Sequence, residues 1–150
     1  NAILISINLP LKKIDIKYDF VAISHNQRYR EDYEKYKDKD YKYIAPAKMF
    51  MGSDFSITHD YGMCEKPGSF ELCGSYAYVP NRLTVIYAIA FCLEAKAKNI
   101  SLIGFGGFPG DDPRQKEMEQ TFSLLTSMQV NICSLTPTSY SIPEFSIFGI

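Results

Sequence analysis

Apolar residues in the first third of this chain fall in short unbroken runs rather than in strict alternation. Residues 3–8 (ILISIN) form one run, closed by Leu9 and Pro10. Residues 19–25 (DFVAISH) form a second, and residues 41–45 (YKYIA), stopped by Pro46, a third. Runs that are apolar throughout predict strands covered on both faces, as in a parallel sheet. Residues 26–39 are polar, with Tyr29, Tyr33 and Tyr36 at helical spacing. That pattern predicts a helix with an aromatic face on the sheet and a charged face in water. Asn26 is its candidate N-cap, and Glu31 with Lys35 a candidate i,i+4 pair.

The stretch 80–120 is the most legible. Asn81 is placed to cap a helix over about 82–98. Its run LTVIYAIAFCLEA is apolar nearly all round, which predicts a buried helix. Lys96 and Lys98 suit the negative C-terminal end of that helix, and Asn99 suits a left-handed stop. Residues 100–105 read as a strand and GFGGFPGD as a loop. Asp112 then reads as an N-cap, with Pro113 in the first helical position and Gln115 completing a capping box. Met118, Phe122 and Leu125 form that helix's apolar stripe. Residues 130–135 read as a further strand. The segment 48–74 is the least legible, with β-like pieces at 55–58 and 70–73. A span of that length without clear elements is often functional.

Strands alternating with helices predict an α/β fold: a three-layer, Rossmann-like, mostly parallel sheet with helices on both faces. Residues 1–150 read as one such domain, with Asn1 and Ala2 resembling the remnant of a cleaved tag on an excised piece. Ligands on such sheets bind outside the carboxyl ends of the strands. That rule nominates Asn8, Ser24, His25, Asn26, the loop 104–112 with Gly106, Gly107 and Asp111, and residues 136–138.

The net charge of −1 offers no general attraction to nucleic acid or to an anionic membrane. No apolar run approaches the roughly 20 residues of a membrane helix. The β-like start lacks the basic region of a secretory leader, so a cytoplasmic location is expected. Four cysteines and two histidines show no zinc-ligand spacing. Reduced thiols are the expectation, with a Cys64–Cys73 bridge as the lesser alternative.

Several constellations carry candidate chemistry. The loop GFGGFPGDD fits a dinucleotide fingerprint at Gly104 and Gly106, but Pro109 stands where the third glycine belongs. A tight loop that needs positive φ is the plainer reading. Asp112 as a cap leaves Asp111 as the free carboxylate, and one carboxylate is too little for a metal site. Asn81, Arg82 and Thr84 combine free N–H groups, a helix dipole and a guanidinium, which is anion-binding chemistry. A cap plus a solvent-facing arginine is the plainer alternative. His25 is a candidate general base, though no Ser-His-Asp or Cys-His pattern accompanies it. His59 beside Asp60 reads as a surface loop.

The combination NRLTVIYAIAFCLEAKAKNISLIGFGGF, DDPRQKEME and SLTPTSY resembles a C-terminal domain of bacterial aldolase-like proteins. The 4-hydroxy-2-oxovalerate aldolase and HMG-CoA-lyase type of barrel forms their N-terminal part, and they occur among surface-polysaccharide genes. ILISIN and DFVAISHNQRY are similar to that domain's first two strands, while 48–74 stays unplaced. A more distant likeness exists to sialyltransferases and pterin-pyrophosphokinase-like domains. Here Gly106 stands where those relatives often carry aspartate. The resemblance implies an accessory domain without aldolase activity of its own, joined to a barrel that would need a divalent metal. It implies a phosphorylated, anionic or nucleotide-sugar-type ligand and no cofactor in this domain. The alternatives are a glycosyltransferase using His25 or Asp111 as base, and a non-catalytic dimerisation domain covering the apolar tail 145–150.

Overall fold

The computed structural model describes residues 2–9, 16–36, 41–146 and 148, without the side chains of Tyr33 and Tyr36. Four short strands form a wholly parallel sheet in chain order: β1 (Ile5–Ile7), β2 (Phe20–Ala22), β3 (Tyr43–Ala45) and β4 (His59–Asp60). A second sheet holds β5 (Gly62–Glu65), β6 (Glu71–Leu72) and β7 (Tyr76–Val79) in the order β5-β7-β6, with only β6 antiparallel. The parallel pair β8 (Ile100–Leu102) and β9 (Ile132–Ser134) is the third. The helices are α1 (Asn26–Glu31), α2 (Tyr33–Tyr36), α3 (Thr84–Glu94) and α4 (Pro113–Ser127), with a 3-10 turn at Ala47–Phe50. The chain is α/β with mostly parallel strands.

Side chains alternate across a strand, so the first sheet divides its apolar residues between two cores. Val21, Ile23, Tyr43 and Ala45 face Tyr29 of α1 and Phe50. Phe55 plugs that side, its ring 4.5 Å from Tyr29, 4.7 Å from Tyr43 and 4.8 Å from Phe50. Ala22 and Ile44 face the larger core around α3. Unbroken apolar runs in β2 and β3 are the direct consequence of covering both faces.

Helix α3 is the hub. Its residues 84–90 are all buried, two full turns of helix with no solvent side. It packs against β1, β2, β6 and β7. Tyr87 is fully buried and donates its hydroxyl to the Tyr61 carbonyl at 2.7 Å. Burial pushes the Tyr61 phenol up to about 12, with Glu94 adding to the effect. Helix α4 adds Met118, Phe122 and Leu125 to the same core, as its stripe predicts.

The structure corrects several local expectations. α1 starts at Asn26 itself, so His25 occupies the N-cap position and Asn26 does not cap. The helix breaks at Asp32, and residues 37–39 lie outside the described residues. Glu31 accepts from Gln27 and Lys35 pairs with Asp32, because the break removes the i,i+4 register. α3 starts at Thr84, with Leu83 in the cap position. It ends at Glu94, and the left-handed stop is Lys96 (φ 63) rather than Asn99. Ala97 N–H donates to the Cys92 carbonyl and Lys96 N–H to that of Leu93, the two bonds of a Schellman closure. Residues 55–58 are loop, because Phe55 is used as a core plug rather than in a ladder. Cys64 and Cys73 sit on β5 and beside β6, with β7 between them. Two strand spacings, about 9.6 Å, exceed the reach of a disulfide, and all four cysteines are free. Among the described residues, no helix is long and apolar enough to cross a membrane.

Truncating Ile86, fully buried on α3, to alanine is expected to cost about 2–5 kcal/mol. Urea denaturation would register this as a lower midpoint with an unchanged slope.

Candidate binding site

The carboxyl ends of β1 and β2 meet the first turn of α3 through buried polar groups. Ser24, fully buried just after β2, lies 2.8 Å from the Thr84 hydroxyl. The Thr84 hydroxyl also faces Asn8 Oδ1 at 3.5 Å, just beyond β1. Asn8 adopts the left-handed conformation (φ 59), which asparagine tolerates and which turns the chain out of the sheet. Its N–H still donates to the Ala22 carbonyl at 2.9 Å, continuing the β1–β2 ladder. Asn8, Ser24 and Thr84, nominated separately from the sequence, are therefore one contact cluster.

His25 and Arg82 extend that cluster to the surface. His25 Nε2 lies 2.7 Å from the Arg82 carbonyl. A carbonyl only accepts, so Nε2 carries the hydrogen and, in the neutral ring, Nδ1 is the acceptor. His25, Asn26, Gln27, Arg28, Glu31, Met49 and Arg82 line a cleft of about 660 Å³. The cleft holds two guanidinium-bearing residues and one carboxylate, and Gln27 Nε2 occupies that carboxylate at 2.8 Å. Asn26 Oδ1 is buried with no hydrogen-bond partner among the described residues. Arg82 is half-exposed, and its Nε pairs with Glu65 at 3.0 Å. The residues sequence reasoning did not nominate are Arg28, Gln27, Glu31 and Met49. Arg28 was visible as a cation in the first turn after a strand end; Met49 comes from the 3-10 turn after the neighbouring strand β3 and carries no local signal.

Asn81 plays a different part. Its Oδ1 accepts from Leu83 N–H at 3.2 Å, shaping the turn into α3. Its Nδ2 reaches the Glu117 carbonyl and the Thr121 hydroxyl of α4, both at 3.4 Å. The side chain is buried and ties α4 to the lead-in of α3.

The glycine loop is held elsewhere, against α4 and the segment after β9. The Gly106 carbonyl accepts from Ser139 N–H at 3.0 Å. Gly107 has φ +118, and a Cβ there would lie 2.1 Å from Ser139 Oγ. Gln115 Oε1 accepts from Phe108 N–H at 2.9 Å, and its Nε2 reaches Ser139 Oγ at 3.1 Å. Gln115 thus fastens the loop, and the return bond of a capping box is replaced by Asp112 N–H to the Pro109 carbonyl at 3.4 Å. Asp112 does cap α4, accepting from Arg114 N–H at 3.0 Å, and its carboxylate grips the Arg114 guanidinium. The side-chain bonds from Arg114, aided by the backbone bond, hold the Asp112 carboxyl down at about 2. Asp111 is exposed beside it. Helix α4 begins well past the end of β8, so its N-terminus does not open directly from the strand as a dinucleotide fingerprint requires. Among the described residues, no three His, Cys, Asp or Glu groups are arranged to hold a metal. No family model, curated protein or solved structure matches the chain.

Two measurements check this arrangement. Asp112 has its pKa depressed below the ordinary 3.8, so its cap stabilises fully above about pH 4 and is lost as pH falls towards 2. An Asp112→Asn variant should flatten the stability profile in that window, its deficit greatest at neutral pH and shrinking as pH falls towards 2. Gly107→Ala places a methyl against Ser139 and a left-handed φ under a side chain. It should lower stability by about 1–3 kcal/mol, read by thermal unfolding.

Proposed function

We propose that this chain binds a small anionic ligand of the phosphorylated or nucleotide-sugar type in the cleft between His25, Arg28 and Arg82. The observation that carries this reading is the clustering of Asn8, Ser24, His25 and Thr84 at the carboxyl ends of β1 and β2. Strand ends of a parallel sheet are where such folds place ligands. Arg28 and Arg82 supply charge-assisted donors, and Glu31 supplies an acceptor for a sugar hydroxyl. The unpartnered Asn26 Oδ1 adds an acceptor whose desolvation a ligand donor would offset after a small rotation. Arg82 would exchange its half-exposed bond with Glu65 for the ligand, a modest sacrifice for a surface pair.

The reading favours binding over catalysis. His25 already spends one ring nitrogen on the Arg82 carbonyl, and Asp111 stands exposed on the loop that α4 and Ser139 hold. We further propose that β8 and β9 continue the first sheet on the β1 side, giving a three-layer, Rossmann-like arrangement with α1 on one face and α3 on the other. In that frame the chain is a cytoplasmic accessory domain of an aldolase-like protein with a role in surface carbohydrate metabolism, the barrel carrying the lyase chemistry and its metal.

Calorimetry against CMP-, UDP- and GDP-sugars tests the binding claim. Saturable binding of one of them, weakened about tenfold or more by Arg28→Ala or Arg82→Ala, is expected for loss of a charge-assisted contact. No heat from any of them at millimolar concentration would overturn it.

A further inference from the structure

A second polar cleft lies at the opposite end of α3, about 15 Å along its axis from Thr84. It measures about 350 Å³ and is lined by residues 58–61, Gly74, Ser75 and the end of α3 with Phe91 and Glu94. The rings of His59 and Phe91 stand 5.9 Å apart, and that of Tyr61 lies 5.7 Å from Phe91. Side chains alternate along an extended chain, so His59 and Tyr61 face α3 together. Asp60 between them faces the other way, its Oδ1 accepting from Ala47 N–H at 2.8 Å.

Two polar groups of this cleft lack the partners their chemistry calls for. Tyr61 is 3% exposed, and its hydroxyl is buried with no hydrogen-bond partner among the described residues. A buried hydroxyl left unpaired carries the full cost of its lost hydration. Glu94 is half-buried at the end of α3. Its Oε2 accepts one long bond, from Gly74 N–H at 3.3 Å. Among the described residues, no Lys, Arg or His stands within ion-pair distance of that carboxylate, Lys96 included. Glu94 is also the charged group that acts most strongly on the Tyr61 phenol, so carboxylate and hydroxyl share one space. The carbonyl end of α3 adds partial negative charge at the same place.

An anion would be repelled by Glu94, and a neutral molecule would leave its charge unbalanced. A quaternary ammonium would answer the charge but bring no N–H to the Tyr61 oxygen. A primary ammonium answers both, one N–H going to Glu94 Oε1 and another to Tyr61 Oη. The aromatic rings suit its charge and its aliphatic stem, and the cleft's volume suits a ligand of few atoms. We propose that the cleft between Tyr61, Phe91 and Glu94 binds a small primary amine in its ammonium form, held by the Glu94 carboxylate and the Tyr61 hydroxyl. This site is separate from the anion cleft at the start of α3 and does not rest on that reading.

Amide NMR spectra of the protein titrated with n-butylammonium chloride at millimolar concentration test the proposal. The amides of Gly74, Ser75 and Ala95 should shift saturably. Tetramethylammonium chloride, butan-1-ol and sodium butyrate at equal concentration should bind more weakly or not at all. Glu94→Gln should weaken the amine about tenfold or more, and Tyr61→Phe about fivefold, the worth of one hydrogen bond. The Tyr61 hydroxyl has no protein partner to lose, so Tyr61→Phe should leave the thermal midpoint of the free protein unchanged or raised. Absence of saturable shifts, or equal shifts from any of the three control compounds, would overturn the proposal. So would unchanged affinity in either variant; unchanged affinity with a lowered midpoint in Tyr61→Phe would assign the hydroxyl to the fold alone.

Discussion

The buried contact between Ser24 and Thr84 is the constraint on which the rest of the arrangement depends. Helix α3 is buried on every side through its first two turns, and Thr84 and Tyr87 carry its only hydroxyls there, so apolar burial alone would let it rotate or slide among its neighbours. A hydroxyl pair with no access to water removes that freedom, because any other rotation strands a polar group in the core. Fixing Thr84 fixes the start of α3 against the ends of β1 and β2. Arg82 and His25 then follow, since the Arg82 carbonyl is where the His25 ring docks. The cleft geometry is a consequence of that one polar registration inside an apolar core.

Much of this was legible in the chain for a physical reason. Strands covered on both faces must be apolar throughout, and residues 20–23 and 43–45 are. A helix with no wet side must be apolar nearly all round, and residues 83–93 are, with Thr84 the one exception. The residues at strand ends could be nominated by rule, and three of them, Asn8, Ser24 and His25, do meet the start of α3. Cap positions were less legible. Asn81 has the chemistry of a cap, but its Oδ1 serves the turn at Leu83 while its Nδ2 reaches Glu117 and Thr121, and α3 opens two residues later. Phe55 looks like a strand residue and acts as a plug between Tyr29, Tyr43 and Phe50. β5 was hidden because Gly62 and the exposed Cys64 and Glu65 break the apolar pattern. Gly62 is there because a Cβ would lie 2.7 Å from that of Tyr76 on the neighbouring strand.

The glycine loop shows how one pattern admits two meanings. Gly104 and Gly106 fit a phosphate-binding spacing, yet Gly107 answers to Ser139 and Gln115. The loop is a fastening between α4 and the chain after β9. Anion chemistry sits instead at Arg28 and Arg82, beside the His25–Glu31 segment that follows β2.

A double-mutant cycle on Ser24→Ala and Thr84→Val tests the central claim most directly. If the hydroxyl pair registers α3 on the strand ends, unfolding in urea should give a coupling energy of about 1 kcal/mol, each single change leaving a buried hydroxyl unpaired. A coupling indistinguishable from zero would mean that the two groups act independently and that α3 is placed by its other contacts, the apolar packing and the Tyr87–Tyr61 bond.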